Sequence, residues 1–247
     1  MRFAGSNLQG QGVRIAIIDS GIRKGDPRLF GADISGWKIQ MSATNHALLS
    51  DDFDDLNGHG TELAVHIHKL APKAQLIGIR IMDNELKAAA DLLVAGIETA
   101  HKIANADIIL ISFGTPNMGK AMMLREACAM ANETGAMIVA SAHPQGARSY
   151  PADVPEVIGV TSHPDCQSRM YYLDPKIYLR RDWKSLSGKF VASGYFDSVY
   201  RGAGHAAAHF AAELACLRSQ DKKWDAEQYS IMMQNKAFLA IPELGYS

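Results

Sequence analysis

The residues best suited to chemistry are Asp19, His59 and the turn that carries Gly204. Asp19 closes the β-branched run Val13-Arg14-Ile15-Ala16-Ile17-Ile18 and precedes Ser20-Gly21. A carboxylate at the carboxyl end of a buried strand lies where open α/β sheets place their sites; the same residue type also caps turns. His59 stands in Asn57-Gly58-His59-Gly60-Thr61, ahead of Leu63, Ile67 and Leu70 at helical spacing. An imidazole at such a helix start is useful as a general base. In Arg201-Gly202-Ala203-Gly204-His205 a small-residue turn opens into an alanine-rich helix that runs to Leu217. A turn of this kind, at the positive end of a helix dipole, suits a serine that attacks substrate. Gly204 stands at its apex, and glycine has no side chain to attack with.

The elements that must position these residues alternate along the chain. Strands are expected over 75–83, 107–114, 137–142 and 157–161, each rich in Ile, Val or Leu. Helices are expected over 59–71, 85–104 and 120–134, the first ending before Pro72. Alternation of this sort implies right-handed crossovers and a doubly wound, mostly parallel sheet with helices on both faces. Met122, Met123 and Met130 are expected to fill gaps in the core. Residues 24–55 read as irregular, and the acidic run Asp51-Asp52-Phe53-Asp54-Asp55 reads as a solvated loop, since it lacks the spacing of a calcium loop. His66 and His68 lack partners at metal-ligand spacing, so packing or surface roles are expected. Short hairpins or edge strands are expected between His163 and Ser198, a stretch that includes Tyr171-Tyr172, Tyr178-Leu179-Arg180-Arg181 and Trp183.

Composition sets the outer limits. The chain has 247 residues, 47% of them hydrophobic, which fits one large domain over 1–247. Its 25 basic and 26 acidic residues nearly cancel, and nothing favours nucleic acid or an anionic membrane as partner. No run reaches the ~18 apolar residues of a membrane span, and the first residues lack a signal-peptide core. The 3 cysteines, Cys128, Cys166 and Cys216, are widely spaced, so buried thiols and a cytoplasmic, reducing location are expected. No cofactor or metal motif is read.

Several separated blocks together resemble the subtilisin-like serine protease family, from about Gly12 to Leu217. Ile17-Ile18-Asp19-Ser20-Gly21 resembles the block of the catalytic aspartate, and Asn57-Gly58-His59-Gly60-Thr61 that of the catalytic histidine. Ile111-Ser112-Phe113-Gly114 is similar to the strand that pairs with substrate backbone, so the resemblance makes Ser112, Phe113 and Gly114 substrate-binding residues. Ser149-Tyr150-Pro151-Ala152 and Pro155-Glu156-Val157-Ile158 are similar to the stretch after the oxyanion-hole residue. Gly202 to Ala212 is similar to the nucleophile block, and the blocks follow the family's order. The resemblance implies the three-layer subtilisin-like α/β fold.

The departures bear on activity. In the nucleophile block Ala203 replaces threonine, Gly204 replaces the serine and Ala208 replaces proline, while Gly202 and His209 match. In the oxyanion region Ala142-His143-Pro144-Gln145-Gly146 the family's asparagine is missing. His143 or Gln145 can donate a hydrogen bond there; Pro144 cannot. Coupled losses favour a natural change over a laboratory one, which would ordinarily replace the serine alone. The expected protein is a catalytically inactive homologue with a vestigial Asp19–His59 pair. It binds a peptide or protein, with an active subtilisin-like paralogue or a precursor peptide as candidate partners. The alternative is an active peptidase with a displaced nucleophile at Ser141, Ser193 or Ser198, with a water activated by His59, or with a serine that has been mutated to Gly204. The first matching strand begins close to Met1, and no room for a folding propeptide is expected.

Overall fold

The apolar run after Val13 forms β1 (Arg14–Asp19), whose alternate residues enter two different cores. The structure, a computed structural model, describes residues 8–44, 46–143, 145–164, 166, 172–173, 190–220 and 228. β1 pairs in parallel with β4 (Gln75–Arg80) and with β5 (Ile108–Ile111). Beyond β4 lie β2 (Ile34–Met41) and β3 (Ala47–Ser50). Beyond β5 lie β6 (Met137–Ser141), β7 (Val157–Ser162), β9 (Phe190–Ala192) and β8 (Tyr172–Leu173). The order β3-β2-β4-β1-β5-β6-β7-β9-β8 is parallel throughout, except where β3 meets β2 and β8 meets β9. β10 (Tyr195–Phe196) and β11 (Val199–Tyr200) form a separate antiparallel pair.

Helices cover both faces, as expected. α1 (His59–Leu70) and α4 (Ala203–Arg218) pack Leu63, Ile67 and Phe210 against Ile15 and Ile17. α2 (Ala90–Glu98) and α3 (Ala121–Glu133) pack Leu93, Ile97 and Leu124 against Ala16 and Ile18. Strands buried on both faces read as continuous apolar runs, which is why the central strands are plain in the sequence. Burying each such Leu or Ile stabilises the fold by about 1.5–3 kcal/mol. The small side chains Ala206, Ala207, Ala211 and Ala215 of α4, all fully buried, permit close approach to the sheet and to α1.

Several expectations are corrected. Residues 24–55 are not irregular throughout, since they contain β2 and β3. β2 escapes pattern reading because it is half exposed and holds Ser35, Gly36 and Lys38; a Cβ at Gly36 would collide with the backbone of Gly78. The acidic run is solvated only at Asp51, Asp52 and Asp54, whereas Phe53 and Asp55 are buried. The strand expected over 107–114 ends at Ile111. The helix expected over 85–104 begins only at Ala90, and its last turn, Thr99–Ile103, widens to π geometry. Met122 and Met130 are exposed on α3, while Met123 is partly buried against the second core. Tyr171, Tyr178-Leu179-Arg180-Arg181 and Trp183 lie outside the described residues. Cys128, Cys166 and Cys216 are buried thiols. Burial pushes the Cys128 thiol up to about 12, so it is inert as a nucleophile at neutral pH.

Candidate functional site

The two glycines flanking His59 do different work. Gly58, before α1, has φ 101°, the left-handed region that favours glycine. Gly60 lies so close to Gly21 that a Cβ there would collide with the Gly21 carbonyl, and the same position lies 3.2 Å from the Cβ of Asp19. This contact brings the end of β1 against the start of α1. Asp19, fully buried, meets the His59 Nδ1 at 2.9 Å through Oδ1 and at 3.0 Å through Oδ2. The Ser20 N–H and hydroxyl donate to Asp19 Oδ1, and the Ser112 hydroxyl donates to Oδ2. The carboxylate therefore orients the imidazole with Nδ1–H toward it and leaves Nε2 open.

A second buried carboxylate fixes the helix start. Asp55 accepts the N–H groups of Asn57 and Gly58 at Oδ1, and the N–H and hydroxyl of Thr61 at Oδ2. Burial alone would raise its pKa. The hydrogen bonds from Thr61 and Gly58 outweigh burial and hold Asp55 below the usual carboxylate range. His59 is moved upward: burial opposes its charge, but the hydrogen bond and charge of Asp19, with Asp55 and Glu62 behind, favour the imidazolium.

The start of α4 faces this pair. Gly202 adopts φ 92°, and its cap position has no side-chain hydrogen bond. A Cβ built at Gly204 would lie 3.7 Å from His59 Nε2, 3.6 Å from the Ser112 Cβ and 3.4 Å from the Ser112 carbonyl oxygen. These are ordinary contact distances, so the backbone at Gly204 accepts a side chain, and one placed there faces the open nitrogen of His59. Next to Gly204, His205 is buried, its Nε2 without a hydrogen-bond partner among the described residues and its ring 6.3 Å from that of His59. Burial pushes His205 down to about 4, with the charges of His59 and Arg201 adding to the effect. His66 also proves buried, its ring against Phe196, His205 and His209.

The other sequence candidates separate clearly. Ser112–Gly114 follow β5 outside any strand, beside the bridge between Thr115 and Tyr150. Gly114 is packed so closely on Ser149 that a Cβ would collide with it. His143 is exposed, its Nδ1 accepting the Gln145 N–H, and Pro144 lies outside the described residues. Ser141 ends β6, Ser193 accepts from the Tyr195 N–H, and Ser198 is exposed in the turn between β10 and β11. None of these serines hydrogen-bonds to His59, whose bonds run to Asp19. Among the described residues no group of His, Cys, Asp or Glu is arranged to hold a metal ion, and no helix is long and apolar enough to cross a membrane.

Residues 10–174 match the subtilase family. The chain belongs to that family. The matched segment holds Asp19 and His59 and ends before Gly204. This subtilase is 28% identical over 232 residues to the minor extracellular protease Epr of Bacillus subtilis (strain 168), covering 87% of this chain and 33% of Epr. It is 28% identical over 231 residues to thermitase of Thermoactinomyces vulgaris, covering 87% of this chain and 77% of thermitase. It thus spans about a third of one relative and about three quarters of the other. A cold-adapted subtilisin-like serine proteinase of known structure superposes with a TM-score of 0.69 at 19% identity, covering 94% of this chain and 86% of that one. The subtilisin-like fold read from the sequence is therefore this chain's fold.

Ser20, Asp55 and His205 were not singled out by sequence reasoning. Ser20 is adjacent to Asp19, and Asp55 stands four residues before His59, where a helix-start acceptor belongs. The charge run around Asp55 masked that signal.

Proposed function

We propose that this subtilase binds an extended peptide or a protein segment without cleaving it by serine chemistry. The observation that carries this is Gly204, whose Cβ position faces His59 Nε2 with room for a side chain and has none. In acyl transfer the histidine takes a proton from a nucleophile at that point, and without the nucleophile the covalent route is closed. The altered oxyanion region, with His143 exposed, supports the same reading. Ser112–Gly114, outside any strand, offer an edge for β-augmentation by an extended ligand. An active subtilisin-like paralogue and a precursor peptide are the partners this arrangement suits.

The test compares the parent with Gly204→Ser on casein and on generic peptide substrates, alongside capture of a partner by the parent. The parent should be inert and the variant should turn over substrate. Cleavage by the parent overturns the reading. A second reading rests on the intact Asp19–His59 contact at 2.9 Å, which would let His59 act as general base toward water. On that reading the parent hydrolyses a substrate and His59→Ala abolishes turnover.

A further inference from the structure

The space beside Gly204 is bounded by groups of unlike character. His59 Nε2 lies 3.7 Å from the position a Cβ would take, and the Ser112 carbonyl oxygen lies 3.4 Å from it. The first carries a proton whenever the ring is charged, and the second is an acceptor. A ligand that satisfies both must bring an N–H and an anionic oxygen separated by a short, fixed stretch of covalent structure. The last residue of a peptide has this pattern: its backbone N–H and its terminal carboxylate are joined through one Cα. An internal residue brings the N–H but follows it with a neutral carbonyl, and a side-chain carboxylate or free acetate brings the anion without the fixed N–H.

The surrounding charge favours an anion at this point. Arg201 is exposed on the turn leading to Gly204, and among the described residues it has no ion-pair partner. It is near enough for its charge to act on the neighbouring His205. The acidic groups nearby are already engaged: Asp19 by Ser20, His59 and Ser112, Asp55 by the start of α1, and Glu62 by Arg28 at 2.6 Å. Burial works against the charge of His59, but the hydrogen bond and charge of Asp19 favour its imidazolium form. A serine at position 204 would fill the space with its own Cβ and hydroxyl; glycine leaves it for ligand atoms.

We propose that the site reads the C-terminal carboxylate of a peptide, with His59 Nε2–H donating to the carboxylate and the Ser112 carbonyl accepting the N–H of the last residue, near the cation of Arg201. The proposal rests on the peptide-binding reading above and narrows it to peptides that end in the groove. Such a protein recognises cleaved chains or mature C-termini rather than a continuous stretch of substrate.

The test passes two random hexapeptide pools, one with free C-terminal carboxylates and one with carboxamides, over the immobilised full chain at pH 6, and quantifies retained peptide by mass spectrometry. The free-acid pool should be retained about ten- to a hundredfold more strongly, the range of a hydrogen bond between charged partners. Arg201→Gln and Gly204→Ala should each bring the acid-to-amide ratio toward one by lowering free-acid retention, the alanine Cβ filling the space beside His59 without supplying a nucleophile. Excess free acetate should compete only weakly, because it lacks the N–H. Equal retention of both pools, or a ratio unmoved by both substitutions, overturns the carboxylate inference and leaves peptide binding standing. Retention of neither pool overturns peptide binding itself, and this inference with it.

Discussion

Two helix starts face each other across the site. At the start of α1, the Asp55 carboxylate takes the N–H groups of Asn57, Gly58 and Thr61, and Asp19 with Ser20 and Ser112 holds the ring of His59. At the start of α4, Gly202 supplies no cap, and Gly204 leaves its side-chain position empty in front of His59 Nε2. The first region is saturated with hydrogen bonds, whereas the second presents no side chain at position 204. The contrast shows that the orienting network of a subtilase site is also its structural cement. Asp19, Ser20, Thr61 and Asp55 tie β1 to α1 whether or not a nucleophile is present, so their retention is no sign of catalysis.

The contrast can be broken first at α4. Gly204→Ser should raise peptide hydrolysis by about three orders of magnitude over the parent, and adding His143→Asn should raise it roughly a further hundredfold, the usual worth of an oxyanion donor. Steady-state assay on a chromogenic peptide amide checks both steps; an inert double variant would show that α4 does not present position 204 to His59.

The α1 side should respond in stability. Asp55→Ala leaves the buried Thr61 N–H and hydroxyl, and the more open Asn57 and Gly58 N–H groups, without their acceptor and should cost about 2–4 kcal/mol, read as a shift in denaturation midpoint. The pH dependence follows from the sign of the shift. With its folded pKa held below 3.8, Asp55 contributes stability that is present above that value and lost as pH falls through the folded pKa. The Asp55→Ala variant should therefore show a shallower loss of stability in acid.

The two facing histidines should pull in opposite directions. His59, raised above 6.5, contributes stability that is complete below that pH and lost as pH rises through its folded pKa. His205, lowered from 6.5 to about 4, does the reverse: the unfolded chain takes up the proton first, and stability falls as pH drops from 6.5 toward 4. That interval corresponds to about 3 kcal/mol. His205→Met should remove much of this acid sensitivity, measured by chemical denaturation at pH 4 and pH 7. The smallest effect belongs to α3, where Met122→Gln should change stability by less than about 0.5 kcal/mol, since Met122 is exposed.

What the sequence disclosed follows from how each element is buried. β1, β4, β5, β6 and β7 are covered on both faces and appear as apolar runs, and the Asp19, His59 and Gly204 blocks carry distinctive small residues at close backbone approaches. β2 and β3 lie toward one edge of the sheet, and β3 is wholly exposed, so neither shows a period that composition could reveal. Asp55 was hidden because its neighbours Asp51, Asp52 and Asp54 do face solvent, and only tertiary contact separates a buried acceptor from a solvated run. His205 is silent in the sequence, since its meaning depends on the approach of α1 to α4. The methionines of α3 fill no interior gap at Met122 and Met130 because the helix turns those positions outward.

The central claim is that position 204 is the missing nucleophile and that no other group takes its place. A serine-directed phosphonate probe, applied to the parent and to Gly204→Ser and read by intact mass and peptide mapping, tests it most directly. The account predicts no adduct on the parent and a single adduct at position 204 in the variant, suppressed when His59→Ala is added. An adduct on the parent, at Ser141, Ser193, Ser198 or elsewhere, would contradict it.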